Sequence, residues 1–171
     1  MISEKMQGAI NNQINAEMYS SYLYLSMSAW FEHAGLEGFA NWMRVQAQEE
    51  MVHAMKMYTF INERGGKVTL QAIDAPPTEW SAPLEIFKAV CDHEAKVTGL
   101  INGLMKVARE ENDNASIIFL EWFVTEQVEE EKSAGDWVKN LQLIGENGHG
   151  LFMLNREALA RVFTPPATPV A

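Results

Sequence analysis

Four long stretches of the chain repeat apolar residues in steps of three and four, the spacing of one α-helical face turned toward a core. The first predicts a helix from Ser3, a capping residue with Glu4 in the first turn, to about His33, with Gly35 as its stop. Its inward positions are Ile10, Ile14, Glu17, Ser21, Tyr24, Ser28 and Phe31. The second runs from about 38 to 65, with Phe39, Met43, Gln46, Glu50, His53, Met57 and Phe60 inward and Gly65-Gly66 at its end. So short a connection makes the two helices antiparallel neighbours. A third helix opens at Ser81, read as its cap, with Pro83 and Glu85 in the first turn. Its stripe is Phe87, Cys91, Glu94, Val97, Ile101, Leu104 and Ala108. Asn112-Asp113-Asn114 turns the chain and caps a fourth helix, whose stripe is Leu120, Phe123, Gln127, Glu130, Ala134, Trp137 and Leu141. A break at Gly145 to Gly150 precedes a shorter fifth helix, from about Leu151 to Phe163.

Residues 66–82 break the pattern. Pro76-Pro77 forbids a helix there. At about 3.3 Å per extended residue the segment spans roughly 50 Å, whereas a helix of about 28 residues is roughly 42 Å long. The segment can therefore cross the whole length of a bundle. The expected fold is all-α: a four-helix bundle with a long crossover between the second and third helices and a short fifth C-terminal helix. Residues 1–163 form the domain, and 164–171, rich in proline, form an extended tail.

Each long stripe is interrupted by polar residues near its midpoint: Glu17, Glu50 with His53, Glu94, and Gln127 with Glu130. Side-by-side packing brings four midpoints to one level, whether a helix runs up or down. One buried acid is costly, and four together cannot all stay ionised without a counter-charge. Two divalent cations would neutralise them. Oxygen ligands with one histidine suit iron or manganese better than zinc. Di-metal carboxylate bundles take an acid from each of two helices and a Glu-x-x-His pair from each of the others. Here Glu17 and Glu94 are the single acids and Glu50-x-x-His53 is one pair, while Gln127-x-x-Glu130 departs from the other. Glu126 and Glu130 are like charges four apart, which disfavours the bare helix. Some of Glu49, Glu126, Glu129 and Glu130 therefore form a candidate second, more exposed cation site. Tyr24 is either a core aromatic or a redox neighbour of the metals, and Trp122 has the same two readings.

Composition narrows the partners. The net charge of −10 and pI of about 4.8 argue against nucleic acid and suit a surface that draws in cations. The single cysteine, Cys91, excludes an internal disulfide. With no apolar run long enough for a membrane and no signal region in Met1-Ile2-Ser3-Glu4-Lys5, the expected location is the cytoplasm, with no membrane partner.

Ile14-Asn15-Ala16-Glu17-Met18-Tyr19-Ser20-Ser21-Tyr22-Leu23-Tyr24, Gln46-Ala47-Gln48-Glu49-Glu50-Met51-Val52-His53, His93-Glu94 and Glu126-Gln127-Val128-Glu129-Glu130-Glu131 together resemble the bacterial non-haem ferritins of the ferritin-like di-iron family. Arg64-Gly65-Gly66-Lys67-Val68 and Phe163-Thr164-Pro165-Pro166 are similar to prokaryotic and archaeal members. The resemblance implies a ferroxidase centre in which Glu17, Glu50 and His53 hold one iron, with Glu50 bridging, and Glu94 and Glu130 hold a second, with Gln127 beside them. It implies a third iron site at Glu49, Glu126, Glu129 and Glu130, and an electron-donor role for Tyr24. It also implies a homo-oligomeric shell of 24 subunits that oxidises ferrous iron with O2 or H2O2 and stores ferric mineral. The rival readings are a di-iron or di-manganese oxidase or peroxidase that stores nothing, and a haem-binding bacterioferritin. Met51 follows the bridging glutamate as a haem-ligating methionine does in bacterioferritins. Gln127-x-x-Glu130 lacks that subfamily's second histidine, so no haem is expected and Met51 reads as an interface or core residue. The stretch Ser116-Ile117-Ile118-Phe119-Leu120 lacks the acids with which some ferritins line their three-fold pore.

Overall fold

The computed structural model describes residues 1–165. Among them are five helices and no strand: α1 (Glu4–His33), α2 (Glu37–Glu63), α3 (Pro83–Glu110), α4 (Asn114–Ile144) and α5 (Gly148–Ala158). Ser3 caps α1 by accepting from the Met6 amide, and Gly35 takes φ of 74° in the turn to α2. The hydroxyls of Ser21 and Ser28 donate to the carbonyls of Ala47 and Ala40, so α1 and α2 run antiparallel and close together. Asp113 caps α4 by accepting from the Ser116 amide, after Asn112 turns the chain with φ of 54°. Side-chain pairs also set α1 antiparallel to α3 (Lys5 with Glu110, Ser20 with His93) and α2 antiparallel to α4 (Phe60 with Phe119, Gln46 with Glu130).

The crossover is pinned along α1. The Lys67 amide donates to Gln7 Oε1 (2.7 Å), Asn11 exchanges hydrogen bonds with Lys67 and Thr69, Asn15 donates to the Ala72 carbonyl (2.9 Å), and Ser26 donates to the Pro77 carbonyl (2.6 Å). Positions rise together on both partners, so the segment climbs the length of α1. Its backbone groups find side-chain partners where no regular structure supplies them.

The apolar core lies in two parts. One gathers Phe31, Phe39, Trp42, Met43, Phe87 and Val90, with Trp137 packed against it. The other gathers Met6, Ile10, Ile14, Met57, Ile61, Leu104, Leu120 and Phe123. Between them lies a layer of buried polar side chains drawn from all four long helices.

Several expectations are corrected. Ala82, not Ser81, is the N-cap of α3; Pro83 fills the first helical position, and Ser81 instead donates from its amide and hydroxyl to Glu85. Val90 is fully buried where Cys91 was expected, and Cys91 is half-exposed. Helix α5 begins at Gly148 and ends at Ala158, because Asn147 caps it by accepting from the His149 and Gly150 amides. Met51 is 41% exposed, which rules out its reading as a core residue. Of the expected tail, residues 166–171 lie outside the described residues. No described helix is long and apolar enough to cross a membrane.

Candidate metal centre

Helix geometry alone places the polar layer. Glu50 and His53 are three residues apart on one face of α2, and Glu17 faces them from α1. One ligand atom from each of Glu17, Glu50 and His53 falls within 4.8 Å of the others, with all three residues buried. His53 Nδ1 lies 3.3 Å from Glu50 Oε2, and its ring meets the indole of Trp122 edge-on. Glu94 arrives from α3, where the Tyr24 hydroxyl donates to its Oε1 and Gln127 Nε2 lies 3.3 Å from its Oε2. Glu130 arrives from α4 and accepts from Gln46 Nε2 at 2.6 Å.

The carboxylates press on one another electrostatically. Burial, reinforced by Glu50, pushes the Glu17 carboxyl up to about 8. Burial and the charges of Glu94 and Glu130 raise Glu50 well above the ordinary range. Burial and Glu130 raise Glu94 to about 7, against the hydrogen bonds from Tyr24 and Gln127. Burial and the charge of Glu94 likewise raise the Tyr24 phenol. Among the described residues, Glu17 Oε2 and Gln46 Oε1 are buried and find no hydrogen-bond partner. Buried acceptors of this kind are normally satisfied. A lone-pair oxygen aimed into a nest of carboxylates is what a bound cation would use, and the oxygen-rich donor set fits ferrous iron.

The residues predicted for a third site share a second environment. Glu49, Glu126, Glu129 and Glu130 all line one cavity of about 840 Å³, beside His53, Trp122 and Arg161. Glu130 is buried in the polar layer and also reaches this cavity, so it joins the two environments. Burial raises Glu49 and Glu126, with Arg161 opposing the shift at Glu49.

Three partners escaped the sequence reading. Gln13 donates to Glu17 Oε1 (2.9 Å), Thr98 lies 3.2 Å from Gln127 Nε2, and Arg161 pairs with Glu49. Gln13 and Thr98 stand four residues from Glu17 and Glu94 on the same helices, a spacing that could have flagged them. Arg161 follows the last helix and carries no periodic signal.

A four-helix bundle whose core is divided by carboxylates from every helix defines the class of di-metal carboxylate proteins. Within that class the chain belongs to the ferritin family, since the ferritin-like domain matches residues 7–144. It is 51% identical over 148 residues to the bacterial non-heme ferritin of Bacteroides fragilis, covering 86% of this chain and 93% of that protein. It is 37% identical over 163 residues to the bacterial non-heme ferritin of Staphylococcus aureus, covering 95% and 98%. The open-pore ferritin of the archaeon Archaeoglobus fulgidus superimposes with a TM-score of 0.94 at 54% identity, covering 95% of this chain and 100% of that one.

Proposed function

We propose that the protein stores iron, oxidising ferrous ions at the buried centre and depositing ferric mineral inside a hollow homo-oligomer, with 24 subunits as the expected shell and the cytoplasm as its location. The observation that carries this reading is the close grouping of Glu17, Glu50 and His53, with the buried carboxylates of Glu94 and Glu130 electrostatically coupled to Glu50, between two apolar halves of the core. The kinship with bacterial non-heme ferritins supports it.

In this reading Glu17, Glu50 and His53 bind one ferrous ion, and Glu94 and Glu130 bind the other. Glu50 would serve both ions, since its carboxylate is coupled to Glu17 and also to Glu94 and Glu130. Gln127 and Gln46 hold the second pair of carboxylates in place. The raised carboxyls release protons as the metal arrives, because the cation restores the preference for the charged form. Each ferrous ion then gives up one electron. Dioxygen accepts the pair with two protons and leaves as hydrogen peroxide, or hydrogen peroxide accepts the pair with two protons and leaves as two waters. Where three ferrous ions meet one dioxygen, Tyr24, hydrogen-bonded to Glu94, is placed to supply the fourth electron, which with four protons takes the dioxygen to two waters. Glu49, Glu126, Glu129 and Glu130, which line one cavity beside His53, form the third iron site in this reading.

The test combines size-exclusion chromatography with aerobic iron loading. A shell of many subunits should elute with a soluble amber product at far more than a few irons per chain. Saturation at two or three irons per chain would refute storage. Glu50→Ala should assemble normally and lose rapid oxidation, and an unchanged initial rate would refute the site.

A further inference from the structure

The cavity at the third site already contains a cation of the protein's own. Arg161 Nη2 donates to Glu49 Oε2, and the two side chains are only 23% and 24% exposed. The guanidinium is not there by the ion pair alone. Its carbon sits 4.4 Å from the Trp42 ring centroid, and Nη1 lies 3.5 Å from the Trp42 carbonyl. Behind it, Asn41 Nδ2 reaches the carbonyls of Ala158, Leu159 and Arg161, the last at 2.9 Å. The segment after α5 is thus stapled to α2 about two turns before Glu49. Arg161 is pre-positioned before any metal arrives. The other cation lining the cavity, Lys132, is well exposed and bonded to Asp136 at 2.7 Å.

We propose that Arg161 is a specificity-determining residue of the third site: a tethered counter-cation that competes with iron for Glu49. The inference rests on the reading of Glu49 as a third-site ligand. The guanidinium occupies Oε2 of Glu49 and sets a fixed positive charge beside it, so an arriving metal ion either takes the remaining oxygen against that charge or displaces it, and every third-site ion binds against an internal competitor. Among the described residues no lysine or arginine pairs with Glu17, Glu50, Glu94 or Glu130, whose neighbours are His53 and the glutamines. Arg161 therefore separates the sites by affinity. It keeps the third site weak and exchangeable, so that iron rests there and leaves rather than settling. It also balances the charge of Glu49 in a cavity lined by six acids.

The test is anaerobic calorimetric titration of the metal-free full-length protein with ferrous iron. Arg161→Gln should tighten the weakest binding event roughly three- to tenfold, the scale on which one partly buried ion pair shifts an equilibrium, and leave the tighter events unmoved. Arg161→Met, which keeps an apolar stem over Trp42, should do the same if the segment after α5 stays docked. Arg161→Lys should lie between these variants and the parent. Hydrogen exchange across 148–161 reports docking in each variant, and a change there with no change in metal affinity marks a purely structural residue and overturns the proposal. Glu49→Gln separates the two readings. Should it abolish the weakest event while neither Arg161→Gln nor Arg161→Met tightens that event, the third site stands and the competitor role falls. Should Glu49→Gln leave the weakest event intact, Glu49 is no ligand and both readings fall.

Discussion

Replacing Glu17 by glutamine should stabilise the metal-free protein, and by an amount that grows with pH. Glu17 is 1% exposed, and its carboxyl is raised from 4.5 to about 8. The sign follows from linkage. Between those two values the folded state holds a proton that the unfolded chain releases, so rising pH favours unfolding. At pH 7 the unfolded carboxyl has gained the distance from 4.5 to 7, which at about 1.4 kcal/mol per unit comes to about 3 kcal/mol. Glutamine has nearly the same shape and cannot ionise, and its carbonyl can still accept from Gln13. Removing that cost should raise the melting temperature at pH 7 by roughly 6–12 °C for a domain of this size. At pH 4.5 and below the advantage should shrink toward zero, because both states then hold the proton. Calorimetry of parent and Glu17→Gln in the presence of a chelator, at several values from pH 4.5 to 8, measures the difference directly. An advantage that is flat with pH, or a variant less stable at pH 8, would show that the carboxylate layer is not held together at the expense of its protons. With ferrous iron present the advantage should shrink or reverse, since the variant has lost one ligand carboxylate and gains less of the metal's binding energy than the parent.

Other outcomes follow from single contacts. A Cβ on Gly38 would lie 1.6 Å from the Asn155 carbonyl oxygen, so Gly38→Ala should undock α5, seen as lost hydrogen-exchange protection over 148–158 while the four long helices stay protected. Tyr24→Phe keeps a fully buried ring but removes the donor to Glu94, so assembly should persist, the initial oxidation rate should fall and the metal-free melting temperature should move by only a few degrees in line with about 1 kcal/mol for one hydrogen bond. Asn11→Ala removes the bonds to Lys67 and Thr69 and should cost about 1–3 kcal/mol, with faster amide exchange at Thr69 and none of that change at Thr98.

The long helices were legible because burial imposes its period on the sequence. The inward residues of α1, from Ile10 through Glu17 and Tyr24 to Phe31, are all buried as the pattern requires. The buried polar layer was legible for the same reason in reverse: Glu50 and Gln127 are conspicuous only against the apolar positions around them. The pattern failed where it had little length to work with. Helix α5 is 11 residues, and its start is set by the Asn147 cap rather than by apolar periodicity. Ser81 is one residue too early to cap α3, since Pro83 fixes where the first turn begins. Cys91 and Val90 are adjacent on the helix, and the choice between them depends on the angle at which α3 meets α1, which no single stripe encodes. Arg161 was invisible because its role depends on a tertiary contact with α2.

The division of the core explains how a layer so unfavourable to folding is tolerated. Charged layers at the end of a bundle would be solvated and lose their electrostatic grip, whereas here both flanks are dry. Phe31, Phe39 and Phe87 lie within 6.0 Å of one another on one side, and Phe60 stacks on Phe119 at 3.9 Å on the other. Each half is apolar enough to fix the helix spacing without help from the middle. The carboxylates are then held at one level by packing they do not share in, and their mutual repulsion cannot relax by moving the helices apart. It can be relieved only by taking up protons or by taking up cations. That makes proton release the natural companion of iron binding, and it makes the acid residues replaceable one at a time without loss of the fold.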